Sequence, residues 1–266
     1  MATVAGNGVA LHYERIGRED GPRLLFCNGS GTTVGSSRPL LDMLSAQFDL
    51  VAFDYRGMGA SPTVTEPYTM ADVAADIVGL LDAIGWEQTA LAGLSFGGMV
   101  AQEFAVTFPD RIAKLALLAT SPGGAFASYP LDTLAALPPA EFAVRSLKLV
   151  DRRWTPEWFT AHPEDGALLA ALATDTSAED AAAATLGRVL QLEARKGHDV
   201  LDRLHRVACP TFVGSGRHDD IAPVANGQAI VDRITDATLR VYDNAGHLFL
   251  LQDRAAWPEI AAFLGA

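Results

Sequence analysis

Three residue types, far apart in a chain of 266 residues, have the character of a nucleophile, an acid and a base. Ser95 lies in Gly93-Leu94-Ser95-Phe96-Gly97-Gly98, between an apolar run from Thr89 to Leu94 and a helical pattern from Gly97 to Phe108. A chain that turns from a buried strand directly into a helix forces the turn residue into a strained backbone conformation. Small neighbours are required there because the two backbones come close. The hydroxyl is then held at the tip of a sheet and at a helix N-terminus, where free N–H groups and the positive dipole end favour negative charge. A serine hydroxyl is a weak nucleophile until a base lies within hydrogen-bond reach and a third group orients that base.

In strand–turn–helix serine sites those partners follow in the order acid, then histidine. A late apolar strand ending at Val213 runs into Gly214-Ser215-Gly216-Arg217-His218-Asp219-Asp220-Ile221-Ala222-Pro223. A carboxylate just past a strand end shares a rim with Ser95. Asp219 is the expected acid because Gly216, Asp219 and Pro223 fit the spacing Gly-x-x-Asp-x-x-x-Pro, which leaves Asp220 as a solvated turn carboxylate. Beyond the next strand comes Asp243-Asn244-Ala245-Gly246-His247. His247 is the expected base, since a small-residue loop past the last core strand can reach both earlier loops; His12, His162, His198 and His205 have no such placement. His218 beside two aspartates lacks further residues at metal-ligand spacing, so neither a metal nor a cofactor is expected. The oxyanion donors must come from the backbone: the N–H of Phe96, which follows the nucleophile, and the N–H of Ser30 in the loop Asn28-Gly29-Ser30-Gly31 after an early apolar strand.

The elements that must carry these loops read as an alternation. Asn7-Gly8 with the alternating Val9 to Glu14 suggests an opening hairpin. Leu24 to Cys27 and Leu50 to Phe53 are short, wholly apolar strands, as in a sheet covered on both faces. Residues 37 to 47 carry helical spacing, and Thr69 is placed to cap a helix through Ile84. Ile112 to Ala119 is a further strand. Strand–helix repetition implies a parallel sheet with right-handed crossovers. From Ser121 to about Arg206 the pattern changes to helix alone, over Leu131 to Val150 and Ala178 to Arg203, punctuated by prolines. The expected organisation is a first core part at 1–121, a helical cap insertion at 122–206 and a second core part at 207–266. In the last part the alternation resumes with strands at Pro210 to Val213 and Thr238 to Tyr242 and helices at 223–234 and 254–264. Trp154, Trp158 and Phe159 are candidate walls of an apolar substrate pocket beneath the cap.

Composition narrows the partners. A hydrophobic content of 49% supports a sizeable core. A net charge of −12 repels phosphate backbones, so nucleic acid is not an expected partner and any anion binding must be local. Cys27 and Cys209 border apolar runs and read as buried thiols. No leader-like segment opens the chain and no apolar run approaches transmembrane length, so a soluble, cytoplasmic protein acting on a small molecule is expected, as a monomer or a homo-oligomer, with no membrane partner.

Taken together these segments resemble the α/β-hydrolase fold superfamily over almost the whole chain. Asn28 to Gly31 resembles its His-Gly-x-Gly oxyanion loop, with Asn28 standing where the family commonly has histidine. Asp54-Tyr55-Arg56-Gly57-Met58-Gly59-Ala60-Ser61 resembles its Asp-x-Arg-Gly-x-Gly-x-Ser turn, and Gly93 to Gly98 resembles its nucleophile elbow. The resemblance implies a mostly parallel eight-stranded sheet with helices on both faces and an inserted helical cap. Arg153 to Phe159, His198 to Leu204 and Ala208 to Thr211 look most like the 3-oxoadipate enol-lactonase-like hydrolases, whose substrate is a carboxylated lactone. Arg145, Lys148, Arg152 and Arg153 are candidates for a local positive patch. A serine at position 95 excludes the carboxylate attack of haloalkane dehalogenases and most epoxide hydrolases. The expected reaction is hydrolysis of a small ester or lactone. Three alternatives remain: C–C bond hydrolysis of the meta-cleavage type, cofactor-free haloperoxidase or perhydrolase activity, and a non-catalytic small-ligand receptor on the same scaffold.

Overall fold

The computed structural model describes residues 2–5, 7–173 and 181–266. The chain opens with a hairpin of β1 (Ala2–Ala5) and β2 (Ala10–Gly17), followed by β3 (Arg23–Cys27), α1 (Arg38–Ser45), β4 (Asp49–Phe53), α2 (Met70–Ala83), β5 (Thr89–Leu94), α3 (Phe96–Thr107) and β6 (Ile112–Leu118). After a helical stretch the alternation returns with β7 (Thr211–Gly216), α8 (Val224–Val231), β8 (Ala237–Tyr242), a short α9 (Phe249–Gln252) and α10 (Ala256–Gly265). The eight strands form one sheet in the order β1-β2-β4-β3-β5-β6-β7-β8. β2 runs antiparallel to β1 and β4, and every other pairing is parallel.

Strand alternation builds two cores, one on each face. Leu25, Cys27, Val51 and Phe53 join Val73, Ile77, Phe96, Val100 and Phe104 of α2 and α3 on one side. Leu24, Phe26, Leu50 and Ala52 join Leu41 and Leu44 of α1 and Trp257, Ile260 and Leu264 of α10 on the other. Adjacent residues of a strand point to opposite faces, so a strand covered on both must be apolar throughout, which is why β3 and β4 read as continuous runs. Thr69 starts α2 with a reciprocal capping box, its hydroxyl accepting from Asp72 N–H and its own N–H donating to Asp72 Oδ2. Both cysteines are buried and free.

Between β6 and β7 the described residues hold no strand beyond isolated bridges at Gly123. The run Leu131 to Val150, read from its spacing as one helix, is two pieces: a 3-10 segment at Leu131–Ala136 and α4 at Pro139–Val150. Pro138 and Pro139 divide it, since proline cannot donate to the preceding turn and clashes with it. Pro139, Pro156 and Pro163 each open a helix instead, namely α4, α5 (Pro156–Ala161) and α6 (Pro163–Ala173), where the missing N–H costs nothing. α7 spans Ala181–Lys196 and ends before Gly197; residues 178–180 of the expected helix lie outside the described residues, and its end, Leu201–Arg206, is a 3-10 segment. No helix among the described residues is long and apolar enough to cross a membrane.

Candidate active site

Ser95 sits between β5 and α3 with φ 55° and ψ −114°, a conformation that costs a non-glycine residue about 1–3 kcal/mol. The surroundings impose it. A Cβ on Gly97 would lie 2.5 Å from the Asn28 carbonyl oxygen and closer still to that of Cys27, and one on Gly93 would strike the Gly97 carbonyl. Ser95 N–H donates to Leu118 O of β6, and Thr120 Oγ1 donates to the Ser95 carbonyl at 2.8 Å. The elbow is therefore hydrogen-bonded to the end of β6 and packed against the end of β3.

The rim of the sheet then gathers residues 95, 219 and 247. His247 Nε2 is 3.0 Å from Ser95 Oγ, and His247 Nδ1 is 2.7 Å from Asp219 Oδ2. Asp219 is fully buried, His247 is nearly so, and Ser95 is partly open. The other Asp219 oxygen accepts from the N–H groups of Ile221 and Ala222, at 2.8 and 2.9 Å. A carboxylate held by two backbone donors has one oxygen left to accept from an imidazole N–H, so Nδ1 carries the proton and Nε2 presents its lone pair to the serine. Asp220 instead lies 3.4 Å from Arg152 at the surface.

The loop after β3 stands beside the elbow, because Cys27 pairs with Gly93 in the sheet. The Asn28 side chain donates to Phe53 O at 3.2 Å, and Tyr55 Oη donates to Asn28 O at 2.9 Å. Asparagine thus ties the loop base to the end of β4. Phe96 packs edge-on against the same tyrosine, with ring centroids 5.2 Å apart. The backbone N–H groups of Ser30 and Phe96 meet no acceptor among the described residues. They are two free donors, one on the loop after β3 and one at the first residue of α3.

The sheet order, the strained serine and the Ser–His–Asp chain narrow the choice of family, and one comparison decides it. A model of the alpha/beta hydrolase fold family matches residues 22–253. The chain belongs to the alpha/beta hydrolase fold family. It is 28% identical over 247 residues to 3-oxoadipate enol-lactonase 2 of Acinetobacter baylyi, covering 92% of this chain and 89% of that one. It is 30% identical over 246 residues to the poly(3-hydroxyalkanoate) depolymerase of Ectopseudomonas oleovorans, covering 91% and 83%. The enol-lactonase structure from Burkholderia xenovorans superposes over the full length of both chains with a TM-score of 0.81 at 24% identity, a likeness of fold.

Other residues singled out by sequence find different places in this α/β-hydrolase. Trp154, Trp158 and Phe159 gather with one another: both indole N–H groups donate to Asp165 Oδ2, at 3.0 and 2.7 Å, and Phe159 packs on Trp154 at 5.7 Å. No hydrogen bond or ring contact among the described residues joins them to Ser95, Asp219 or His247. The basic residues are largely engaged. Arg153 pairs with buried Asp151 and stacks on Trp158, and Arg152 donates to Arg217 O. Burial pushes the Asp151 carboxyl up, but Arg153 and Gln252 outweigh it and hold the group below the usual carboxylate range. Arg145 lies over Tyr129, and Lys148 is exposed. His12 is a buried structural partner of Asp54 at 2.7 Å.

Two features escaped sequence reasoning. The last carbonyls of α4, which no helical N–H can reach, accept from the acid and base loops: Leu149 O from Asp220 N–H and Val150 O from His247 N–H, at 3.0 and 2.7 Å. The end of α4 is thereby sewn to the loops that carry Asp219 and His247. The second is Gln191 of α7, fully buried against the loop after β3. No periodicity could flag either, because each depends on what lies across a loop.

Proposed function

We propose that this α/β-hydrolase cleaves a carboxylic ester or lactone of a small organic acid through Ser95, His247 and Asp219. Ser95 Oγ attacks the carbonyl carbon as its proton passes to His247 Nε2, and Asp219 steadies the resulting imidazolium. The N–H groups of Phe96 and Ser30 hold the oxyanion. The C–O bond then breaks, and the leaving oxygen takes the proton from Nε2. Water, deprotonated by the same nitrogen, attacks the acyl-serine; the ester bond to Ser95 breaks and the serine recovers its proton.

The observation that carries this reading is the unbroken chain from Ser95 Oγ to His247 to Asp219, at 3.0 and 2.7 Å, beside two unengaged backbone donors. The names of the two relatives point the same way, since an enol-lactone and a poly(3-hydroxyalkanoate) are both esters. The test is Ser95→Ala assayed on aryl esters and a lactone panel, alongside fluorophosphonate labelling of the wild type. The expected result is stoichiometric labelling of Ser95 and a loss of at least about 10⁴-fold in kcat in the variant. Ester turnover by Ser95→Ala at the wild-type rate would overturn the proposal.

A further inference from the structure

The loop that presents Ser30 is fastened at its base by Asn28 and Tyr55. At its tip it is fastened from the other side, by a cap residue. Gln191 Oε1 accepts from Gly31 N–H at 2.7 Å and from Ser30 Oγ at 3.1 Å. A backbone N–H can only donate, so the atom facing Gly31 must be the amide oxygen. Gln191 is fully buried, and its Nε2 has no partner among the described residues. A buried amide left half satisfied is destabilising, so the contacts made by its oxygen carry the reason for a glutamine here.

α7 is seated close enough to hold that position. A Cβ on Gly187, four residues before Gln191, would strike the carbonyl of Gly57, so the helix backbone lies directly on the turn Asp54 to Ser61. That turn is itself rigid: Asp54 accepts from His12, Val34 N–H and Ala60 N–H, at 2.7, 2.7 and 3.0 Å, and Arg56 forms a bidentate pair with buried Asp76. The amide oxygen therefore pulls on Gly31 from a fixed platform. By binding the N–H of Gly31 and the hydroxyl of Ser30, it engages the two other donors of the tip and leaves the Ser30 N–H free.

From this geometry we infer that Gln191 is a positioning residue: it holds the tip of the loop so that the Ser30 N–H faces the oxyanion, and the hole is complete only while α7 is seated. The inference rests on the proposed ester or lactone hydrolysis and adds a residue that acts through Ser30. An oxyanion donor works only when it is preorganised at the place where charge develops, and an ångström of misplacement is enough to cost about a hundredfold. The predicted signature is a loss in kcat with little change in KM, because the contact serves the transition state.

The test compares wild type, Gln191→Met, Ser30→Ala and the double variant on p-nitrophenyl acetate, with inhibition by a trifluoromethyl ketone as a transition-state mimic. Methionine keeps the length and burial of the side chain and removes the acceptor; Ser30→Ala keeps the backbone donor and removes one of the two bonds. Q191M is expected to lose at least tenfold in kcat with KM within threefold, and to bind the ketone more weakly by the same factor as its loss in kcat/KM. S30A is expected to lose two- to fivefold alone and almost nothing further on top of Q191M, since Q191M has already removed the bond that S30A cuts. Wild-type kcat and ketone affinity in Q191M would overturn the inference, as would additive losses in the double variant. Should Q191M fail to fold, an unchanged kcat in S30A overturns it and a kcat-only loss upholds it. A wild type that neither turns over the ester nor takes the fluorophosphonate at Ser95 would instead bring down the proposed hydrolysis itself.

Discussion

Replacing Asp219 by asparagine is the sharpest available probe of the site, because its outcome follows from four distances. One carboxylate oxygen accepts from Ile221 N–H and Ala222 N–H at 2.8 and 2.9 Å, and the other accepts from His247 Nδ1 at 2.7 Å. An asparagine must keep its oxygen toward the two backbone donors, so its NH₂ faces His247 and donates to Nδ1. The imidazole proton is then driven to Nε2, which is 3.0 Å from Ser95 Oγ, and the lone pair needed to receive the serine proton is gone. Restoring the productive tautomer requires flipping the amide, which strands two buried N–H groups at about 2 kcal/mol each. Loss of the charge-assisted bond to the imidazolium adds about 1.5 kcal/mol. The barrier rises by about 5.5 kcal/mol, or about four powers of ten in kcat. Burst and steady-state kinetics with p-nitrophenyl acetate measure this, with a urea titration to show that D219N stays folded. A folded D219N retaining more than a tenth of wild-type kcat would refute the assignment of Asp219 as orienting acid.

Two other perturbations test the frame around the site. Gly97→Ala should cost at least about 2 kcal/mol of stability and slow fluorophosphonate labelling, because its Cβ would lie 2.5 Å from the Asn28 carbonyl and the loop after β3 must yield; an unchanged urea midpoint and labelling rate would contradict that packing. His198 gives a pH effect: burial keeps its imidazole neutral, with a pKa lowered to about 4, while the unfolded chain takes up a proton near the ordinary value of about 6.5. Stability is then full above pH 6.5 and declines as pH falls toward 4, by roughly 2 kcal/mol at about pH 5. Urea midpoints at the two pH values should differ less in His198→Gln, and an equal acid loss in both proteins would remove His198 as the cause.

What the sequence disclosed and what it hid divide along the range of the interactions. The elbow was legible because Gly93, Ser95 and Gly97 act on one another within a single turn, and the Thr69 cap for the same reason. The strands at Leu24 and Leu50 were legible because burial on two faces leaves no polar position. The favoured aspartate of the pair 219 and 220 is the one the structure sets against His247, a choice that rested on three residues of spacing. Between β6 and β7 the reading was coarse. Three of the prolines that punctuate this stretch sit at the first position of α4, α5 and α6, and a helix start and a helix break share one residue type. The aromatic cluster at Trp154 and Trp158 turned on Asp165, a partner no periodicity announces. Gln191 lies in an alanine-rich helix whose composition gives no hint that one amide faces the loop after β3.

The end of α4 bears on how such a protein could be re-engineered. Because Leu149 O and Val150 O receive the N–H groups of Asp220 and His247, a chimera that replaced the whole stretch between β6 and β7 would also import, or lose, two acceptors for the reactive loops. A swap confined to 156–186, by contrast, leaves that seam and Gln191 in place. The stretch between β6 and β7 is therefore tethered to the reactive loops at its two shoulders, Val150 and Gln191.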